Sequence, residues 1–309
     1  MRIGLAIGGG DGRTVDEMVS VIVQAEKDGF ASVWMAQIFS LDALTVLALA
    51  GGKTTRIELG TAVIPTYPRH PHSLAQQALT VNQATGGRLA LGIGRSHQVV
   101  IEGMFGLSYD KPLAHMREYV TVLKGLIDNG SVSVDGKAYR VNASLKIKQA
   151  PPTPVLIGAL RPKMLQICGT LCDGTLTWMA GPRYIENEIV PRLSDAAGAA
   201  GRALPRVVAS LPVYVTDDAE AAHEAIAKAL QVYGQLPVYR ACLDAEGVEG
   251  PADIALIGDE NKVEEGLRRL ASAGATDFYA LVAPEAVSDA ACARRTHALL
   301  KGFSGNLSA

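Results

Sequence analysis

The sequence predicts an α/β fold, a single (β/α)8 TIM barrel over residues 1–309 with insertions after the fourth and seventh strands. Short apolar strands alternate with amphipathic helices along the chain, which is typical of a parallel sheet with crossover helices. The predicted strands number eight, as a closed barrel of this kind requires. No repeat, linker or low-complexity segment divides the 309 residues, a length that such a barrel reaches as one domain.

The chain up to Ile93 contains four strand–helix units with short connections. Thr14 can cap the first helix with its hydroxyl, and Gly29 can end it because glycine readily adopts a positive φ. The predicted strands are Arg2–Ile7, Ala31–Ala36, Ile57–Ile64 and Arg88–Ile93, and the next two helices are Leu41–Ala50 and Ser73–Gln83. This alternation predicts the first half of the barrel.

An insertion then interrupts the alternation. Two helical pieces, His97–Phe105 and Pro112–Ile127, precede Ser131–Ala150, where Asp135–Gly136 predicts a hairpin with a two-residue turn. The remaining predicted strands are Val155–Gly158, Gly174–Trp178, Val207–Val215 and Thr276–Leu281, and the remaining helices are Pro162–Leu171, Pro182–Ala200, Ala219–Tyr233, Glu260–Ala273 and Glu285–Leu300. The proline-interrupted segment Gly234–Ile257 predicts either a mobile lid or a helical excursion.

The composition limits the classes of partner. With 48% hydrophobic and 19% charged residues, the chain is expected to be globular. A net charge of −2 gives no reason to expect nucleic acid or an anionic membrane, and no window is long and apolar enough for a membrane helix. The N-terminus MRIGLAIGGGDGRT predicts a strand, not a signal peptide, and four cysteines point to a reducing compartment. We therefore expect a cytoplasmic protein with a small-molecule substrate.

Several kinds of site are absent from the sequence. It has no G-x-x-x-x-G-K-[ST] loop, no G-x-S-x-G elbow and no complete dinucleotide fingerprint. Cys168 and Cys172 fall in an apolar helix and favour core packing, so we predict no metal site. His70 is expected to hold the loop after the third strand. Three further histidines in helical runs are expected to face solvent, namely His115, His223 and His297.

The carboxyl ends of the predicted strands supply a candidate site, because barrel enzymes carry their catalytic groups there. These ends contain few acids and many small, aromatic or amide groups, which suits a flat, weakly charged ring better than a hydrolytic water. The positions are Ile7, Gly8, Gln37, Ala62–Val63, Arg95–Ser96–His97, Gly158–Ala159 and Trp178–Met179–Ala180.

The blocks LGTAVIPTYPRHP, GGRLALGIGRSH, PVLIGAL and GTLTWMAGP resemble the luciferase-like monooxygenase superfamily, and most closely its branch that uses the deazaflavin coenzyme F420. The resemblance implies a homodimeric barrel with the coenzyme ring at the strand ends. It also implies a non-proline cis peptide at Ala62–Val63, where a small residue presses against the ring. Contacts with the coenzyme or its bound substrate are implied at Arg95, Ser96 and His97.

The same resemblance implies that the backbone amides of Gly158, Ala159 and Leu160 bind the coenzyme phosphate, since a helix starts directly after them. Arg161 could reach that phosphate or the acidic tail of the coenzyme. Trp178 and Trp34 could stack near the pocket or belong to the core. A basic rim of Arg69, Arg95, Arg161 and Lys163 would favour F420, whose tail is an oligoglutamyl chain.

Two residues are expected to be catalytic. His97 could donate the proton that completes reduction of a substrate, or it could only cap the next helix. Gln37 stands where several F420 enzymes carry an acid–histidine pair, and an amide can hydrogen-bond but cannot transfer a proton at neutral pH. We therefore expect reduction of an activated double bond or carbonyl by F420. The alternatives are a monooxygenase using reduced FMN and oxygen, or a binding protein that has lost its cofactor.

Overall fold

The computed structural model describes residues 1–148, 151–282 and 290–307. The strands within these residues are β1 Arg2–Ala6, β2 Ser32–Met35, β3 Glu58–Thr61, β4 Ile64–Pro65, β5 Leu89–Gly94, β6 Ser131–Asp135, β7 Arg140–Ser144, β8 Val155–Gly158, β9 Gly174–Trp178, β10 Arg206–Ser210, β11 Val213–Val215, β12 Leu256–Gly258 and β13 Asp277–Ala280. Eight of them close into a parallel barrel in the order β1-β2-β3-β5-β8-β9-β10-β13, with β13 paired to β1. The predicted eight-stranded barrel is confirmed.

Helices surround this barrel and carry most of the apolar core on their inner faces. Those described are α1 Val15–Lys27, α2 Ala43–Gly51, α3 Pro71–Ala84, α4 Gln98–Gly103, α5 Pro112–Asn129, α6 Pro162–Leu171, α7 Pro182–Tyr184, α8 Val190–Ala199, α9 Ala219–Ala229, α10 Gln231–Gln235, α11 Pro237–Glu246, α12 Glu260–Ser272 and α13 Ala290–Gly302. The predicted cap of α1 is confirmed: the Thr14 hydroxyl accepts from the Glu17 amide, and the Glu17 carboxylate accepts from the Thr14 amide at 2.7 Å. None of these helices is long and apolar enough to cross a membrane.

Two predicted strands are each broken in the structure. Ile57–Ile64 was predicted as one strand, but a cis peptide at Ala62–Val63 separates β3 from β4. Val207–Val215 was also predicted as one strand, but β10 ends before Pro212, which has no N–H to donate to the ladder. The following strand, β11, pairs with β12 outside the barrel.

Two other predicted elements differ in detail. The hairpin β6–β7 has a four-residue turn over Gly136–Tyr139, not the predicted two-residue turn. The carboxylate of Glu118 explains the longer turn, because it accepts the backbone N–H groups of residues 137–139 at 2.7–3.2 Å. The helix predicted over Pro182–Ala200 contains a π-helical turn, Ile185–Ile189, just before Pro191. Proline lacks the donor that an α-helical bond at this point requires.

The sequence left two alternatives for Gly234–Ile257, a mobile lid or a helical excursion, and the structure shows the helical excursion. It contains the end of α10, then α11, a 3-10 turn at Pro251–Ile254 and most of β12. The predicted starting residue of the last helix, Glu285, and the predicted end of the insertion, Ala150, lie outside the described residues.

The interior of the barrel is filled by the side chains of alternate strand residues. Trp34 is almost completely buried there, and its indole N–H donates to the Ser32 hydroxyl at 3.0 Å. A Cβ atom at Gly60 would lie 2.2 Å from the indole, so glycine is required at this position on β3. The residues that share this interior cluster are Trp34, Ala90, Leu156, Leu176, Val208 and Tyr279. They form the floor on which the cavity described below rests.

Candidate active site

A cavity of about 1000 Å³ lies at the carboxyl ends of the barrel strands. Its walls are mostly aromatic and aliphatic, and the ionisable side chains of basic type that line it are Arg95, His97 and Arg161. Among the described residues, no aspartate or glutamate lines it. The cavity therefore suits a flat, largely apolar ligand that carries negative charge at its periphery.

The peptide between Ala62 and Val63 is cis, as the resemblance implied, and both residues line the cavity. The hydroxyl of Thr61 accepts from the Gly92 amide at 2.9 Å and donates to the Gly92 carbonyl at 2.8 Å. The Thr61 side chain thus provides hydrogen-bond partners for both backbone groups of Gly92, at the point where β3 ends and no longer pairs with β5. A Cβ atom at Gly94 would lie 2.5 Å from the Val63 side chain, so the glycine leaves room for Val63 to sit at the cavity wall.

The end of β5 presents three polar side chains to the cavity, from Arg95, Ser96 and His97. Ser96 has a positive φ of 60°, a conformation that non-glycine residues adopt at some energetic cost and that often marks functional sites. The Tyr109 hydroxyl donates to the Ser96 carbonyl at 3.3 Å and so helps to hold this turn.

His97 occupies the cap position of α4, but its side chain makes no capping hydrogen bond. Its ring lies edge-on to the ring of Tyr239, with 6.0 Å between centroids. Burial and the nearby charge of Arg95 both lower the pKa of His97 below its ordinary value. The ring is therefore neutral at neutral pH, half-buried and free of the capping role that was the alternative to catalysis.

Residues at the start of α6 form the neighbouring wall, because β8, which precedes α6, pairs directly with β5. Gly158, Leu160 and Arg161 line the cavity, and no side chain of the described residues caps this helix start. The Tyr184 hydroxyl donates to the Leu160 carbonyl at 2.8 Å and fixes the loop before the helix. The first N–H groups of a helix have no partner within it, so this end of α6 is available to an anion.

Ala159 lies in the same loop but is fully buried behind the wall. Its N–H donates to the Thr175 hydroxyl at 3.3 Å, and its carbonyl accepts from that hydroxyl at 2.8 Å. Thr177, two residues further along β9, lines the cavity, is 1% exposed and has a hydroxyl without a hydrogen-bond partner among the described residues. Sequence reasoning did not select Thr177, since a threonine in a strand carries no signal of its surroundings.

Aromatic residues of α10 and α11 cover one side of the cavity. Trp178, at the end of β9, packs edge-on against Tyr233 at 5.7 Å, and Tyr233 packs edge-on against Tyr239 at 5.3 Å. The Glu246 carboxylate at the end of α11 accepts from the amides of Arg183 and Tyr184, at 3.1 and 2.8 Å. The excursion is thereby joined to α7, the short helix that follows β9.

A buried cluster of aromatic rings and one histidine lies behind Arg95. The rings of Tyr67 and His115 are stacked at 3.9 Å, and the Nε2 atom of His115 is 2.9 Å from the Thr66 hydroxyl. Burial and the charge of Arg95 lower the pKa of His115 to about 4. The prediction that His115 faces solvent is wrong. Its spacing of one and four residues from Met116 and Tyr119, which are also buried, is the signal that could have placed it on the inner face of α5.

Three of the residues that the sequence selected lie outside the cavity lining, namely Gln37, Arg69 and Lys163. Gln37 does not line the cavity, and its side-chain oxygen accepts from the Ala43 amide at 2.8 Å, at the start of α2. Arg69 is also outside the cavity lining and binds Asp42 and Gln77, at 2.5 and 2.7 Å. Of the predicted basic rim, Arg95 and Arg161 line the cavity, whereas Arg69 and Lys163 do not.

The other histidines are structural or exposed. His70 caps α3 through its Nδ1 atom, which accepts from the His72 amide at 3.2 Å, so its predicted structural role is confirmed. His223 and His297 are partly exposed and each lies near a carboxylate, that of Asp253 at 2.8 Å and that of Asp28 at 3.4 Å. The described residues contain no group of three histidine, cysteine or acidic side chains that could hold a metal ion.

Comparisons with a family model and with a curated relative point to the same family. The model of the luciferase-like monooxygenase family matches residues 2–287. A protein of Mycobacterium tuberculosis, named provisionally as a coenzyme F420-dependent oxidoreductase, is 30% identical over 306 residues, which cover 94% of this chain and 86% of that protein.

Two solved structures share the fold. The coenzyme F420-dependent tetrahydromethanopterin reductase of Methanopyrus kandleri superposes with a TM-score of 0.79 at 22% identity, covering 98% of this chain and 97% of that one. The oxygenating component of a Pseudomonas putida diketocamphane monooxygenase, in complex with FMN, superposes with a TM-score of 0.76 at 18% identity, covering 99% and 98%. Likeness at this level of identity establishes the barrel and leaves the chemistry to the residues of the cavity.

Proposed function

Because the chain belongs to the luciferase-like monooxygenase family, we propose that it is an F420-dependent oxidoreductase that reduces an activated double bond or carbonyl of a small organic substrate. The observation that carries this proposal is a cavity without lining acids, in the described residues, whose two arginines have no ion pair there. A coenzyme with a phosphate and an acidic tail is suited to such a charge distribution. The name of the mycobacterial relative supports the same coenzyme.

The residues present fit this coenzyme. The uncapped start of α6, together with Gly158, Leu160 and Arg161, would hold the phosphate, since helix starts favour anions. Ala62, Val63, Ser96 and Trp178 would line the ring, and Ala159 would support the phosphate loop from behind. When bound in its reduced form, F420 would supply the hydride for this reduction.

The remaining chemistry belongs to the protein. We propose that the protonated form of the His97 imidazole gives a proton from a ring nitrogen to the substrate atom that becomes basic on reduction. Because the pKa of His97 is lowered, this form is the minor one at neutral pH and becomes more populated as the pH falls. The aromatic wall of Trp178, Tyr233 and Tyr239 would keep water from the reacting atoms. Gln37 would act only indirectly, because its side chain does not line the cavity and instead accepts a hydrogen bond from the start of α2.

The second candidate is a monooxygenase that uses reduced FMN and oxygen. The FMN-bound structure with the same barrel favours it, and the start of α6 would serve the phosphate of FMN equally well. The acidic tail distinguishes the two coenzymes. F420 has such a tail, which a second arginine in the cavity could bind, whereas FMN has none.

An anaerobic titration of the purified protein with oxidised F420, and in parallel with FMN, tests the proposal. We expect binding of F420 in the micromolar range or tighter and FMN binding at least about tenfold weaker, as one lost charge-assisted hydrogen bond implies. Preferential binding of FMN would turn the assignment to the monooxygenase. Binding of neither coenzyme would support the cofactor-free alternative.

We further propose that the chain acts as one domain, residues 1–309, in the cytoplasm and as a homodimer. The four cysteines are buried and form no disulfide within the described part of the chain, which supports a reducing compartment. The apolar residues of α2 and α3 that could form an interface are largely buried within the chain itself, so the dimer needs a direct measurement. Light scattering of the purified protein at two concentrations gives its mass in solution and decides the point.

A further inference from the structure

Tyr184 is a buried tyrosine outside the cavity lining that contacts the elements behind two of the cavity walls. It is 3% exposed and ends α7, the short helix after β9. Its hydroxyl donates to the Leu160 carbonyl at 2.8 Å, in the phosphate loop Gly158–Arg161. Its backbone N–H donates to the Glu246 carboxylate at 2.8 Å, at the end of α11. One residue therefore joins the phosphate loop to the helix that carries part of the aromatic wall.

The inner face of α11 extends from the cavity to this contact. Four residues recur at the three- and four-residue spacing of one helix face, namely Tyr239, Cys242, Leu243 and Glu246. At one end of this face, the Tyr239 ring lines the cavity and lies edge-on to the His97 ring, with 6.0 Å between centroids. At the other end, the Glu246 carboxylate accepts from the first amides of α7. A shift of α11 at either end would therefore be felt at the other.

Tyr184 is fixed from both sides by specific neighbours. A Cβ atom at Gly181 would lie 2.5 Å from the carboxylate carbon of Glu246, so a larger residue there would displace the carboxylate. Negative charge is favourable at the start of a helix, where this carboxylate lies. Burial and the Cys242 thiol beside it raise the pKa of Tyr184 to about 12. The hydroxyl therefore keeps its proton for the Leu160 carbonyl at neutral pH.

The part of the excursion that precedes α11 is packed much less firmly. No residue of α10, all of which the structure describes, is buried, and Val232 is 57% exposed. In contrast, Cys242 and Leu243 of α11 are fully buried. Segments with few buried contacts open locally at a low free-energy cost. The position of the aromatic wall should therefore depend mainly on α11, and the position of α11 on its contacts with Tyr184.

From these contacts we infer that Tyr184 is a positioning residue that couples the phosphate loop to the aromatic wall beside His97. An anion that fixes the loop at the start of α6 also fixes the Leu160 carbonyl, and through Tyr184 it stabilises α11 and the position of Tyr239. The coupling rests on the proposed function, since the anion is the coenzyme phosphate. Because such coupling is reciprocal, a firmly placed α11 also raises the affinity for the coenzyme. The substrate then enters a cavity whose wall the bound coenzyme has completed.

Hydrogen–deuterium exchange of the backbone amides of α11 tests the coupling, because exchange reports local opening. The wild-type protein is compared with Tyr184→Phe, Glu246→Gln and Tyr119→Phe, each with and without coenzyme. Tyr119→Phe is the matched control, since the Tyr119 hydroxyl is also buried but has no hydrogen-bond partner among the described residues. Oxidised F420 or FMN serves as the coenzyme, whichever the protein binds more tightly, because both carry a phosphate.

We expect the coenzyme to slow exchange in α11 of the wild-type protein about fivefold or more, the lower end of typical coupling between sites. In Tyr184→Phe the slowing should fall below about twofold, and the coenzyme should bind about three- to tenfold more weakly, as the loss of one hydrogen bond implies. Glu246→Gln, which keeps one acceptor oxygen, should retain part of the slowing. Tyr119→Phe should match the wild-type protein in both measurements.

Three results would overturn the inference. The first is a bound coenzyme that leaves exchange in α11 of the wild-type protein unchanged. The second is a Tyr184→Phe protein whose exchange is faster with and without coenzyme but whose slowing is intact, as a purely structural role would give. The third is a Tyr119→Phe protein that loses the slowing as well. A thermal melt of each variant shows whether it is folded, and Glu246→Gln decides alone if Tyr184→Phe is not.

Failure of the proposed function is a separate outcome. If the protein binds neither F420 nor FMN, the proposed function fails, and inorganic pyrophosphate takes the place of the coenzyme in the same comparison. Slowing of exchange in α11 by pyrophosphate, lost in Tyr184→Phe, would then support the coupling on its own. A protein that binds none of the three would overturn the coupling too, since the start of α6 would not be an anion site.

Discussion

The two ends of the barrel differ in how completely their polar groups are paired. At the amino ends of the strands, Arg206 contacts Glu58 at 2.8 Å and Asp277 at 2.7 Å, and Arg2 contacts the same two carboxylates at 3.2 Å. At the carboxyl ends, Arg95 and Arg161 have no ion pair among the described residues, and Thr177 keeps a hydroxyl without a partner.

Backbone geometry follows this division only in part. Of the four non-glycine residues with positive φ in the described chain, Ser96 and Met179 follow the ends of β5 and β9, whereas Lys111 precedes α5 and Ser304 follows α13. Strain and unpaired polar groups both reduce stability and are retained where a ligand makes use of them. We therefore assign stabilisation of the barrel to the amino end, and we propose binding and chemistry at the carboxyl end.

The largest effect is expected at the carboxyl end, from His97→Ala. If the His97 ring donates a proton, kcat for substrate reduction should fall by about 10²- to 10⁴-fold, the usual contribution of a general acid. Steady-state kinetics under anaerobic conditions measure the loss, and a fluorescence titration measures the F420 affinity, which should change little. An unchanged kcat would remove His97 from the mechanism and would leave it as a wall residue.

At the amino end, Arg206→Met should lower stability and leave ligand binding intact. Burial disfavours the charged Arg206, but bonds to Asp277 and Glu58 outweigh it and raise the pKa of the guanidinium. Removing one partner of a largely buried pair costs about 3–5 kcal/mol of unfolding free energy, because the other charges lose their compensation. Urea denaturation measures this loss. A comparable loss of F420 affinity in the folded variant would contradict the division between the two ends.

The sequence predicted the eight-stranded barrel and most of the residues that line its cavity, and it failed where tertiary contacts decide. Ala62–Val63, Arg95–Ser96–His97 and Gly158 could be selected because strand periodicity fixes where each strand ends, and the ends of parallel strands converge. Gln37 was selected by the same rule, yet its amide turns to the start of α2, which no local pattern specifies. Whether Arg95 has an ion-pair partner depends on every side chain that folds around it. The absence of such a partner among the described residues could therefore be seen only in the structure.

Within the carboxyl end, the aromatic cluster around His115 should make the free energy of unfolding depend on pH. The pKa of His115 is about 4 in the folded protein against 6.5 ordinarily, so the unfolded chain binds a proton that the folded chain does not take up until the pH nears 4. Its contribution is complete above pH 6.5 and is lost as the pH falls toward 4, by up to about 3 kcal/mol. Denaturation at several pH values should show a shallower decline in His115→Gln. An identical decline would mean that His115 is accessible to protons in the folded protein.

The smallest effects compare two neighbouring threonines on β9. The Thr175 hydroxyl shares its proton between the carbonyls of Ala159 and Ile157, at 2.8 and 3.1 Å, and accepts from the Ala159 N–H at 3.3 Å. The Thr177 hydroxyl has no partner among the described residues. Thr175→Val should therefore cost about 1–3 kcal/mol of unfolding free energy, because it leaves buried backbone groups without partners. Thr177→Val should change stability by less than about 1 kcal/mol or raise it slightly, since it removes a buried group that was already unpaired. Urea denaturation of the two variants gives the comparison directly: equal losses would mean that the Thr177 hydroxyl is satisfied by bound water, and that this part of the carboxyl end is as fully paired as the amino end.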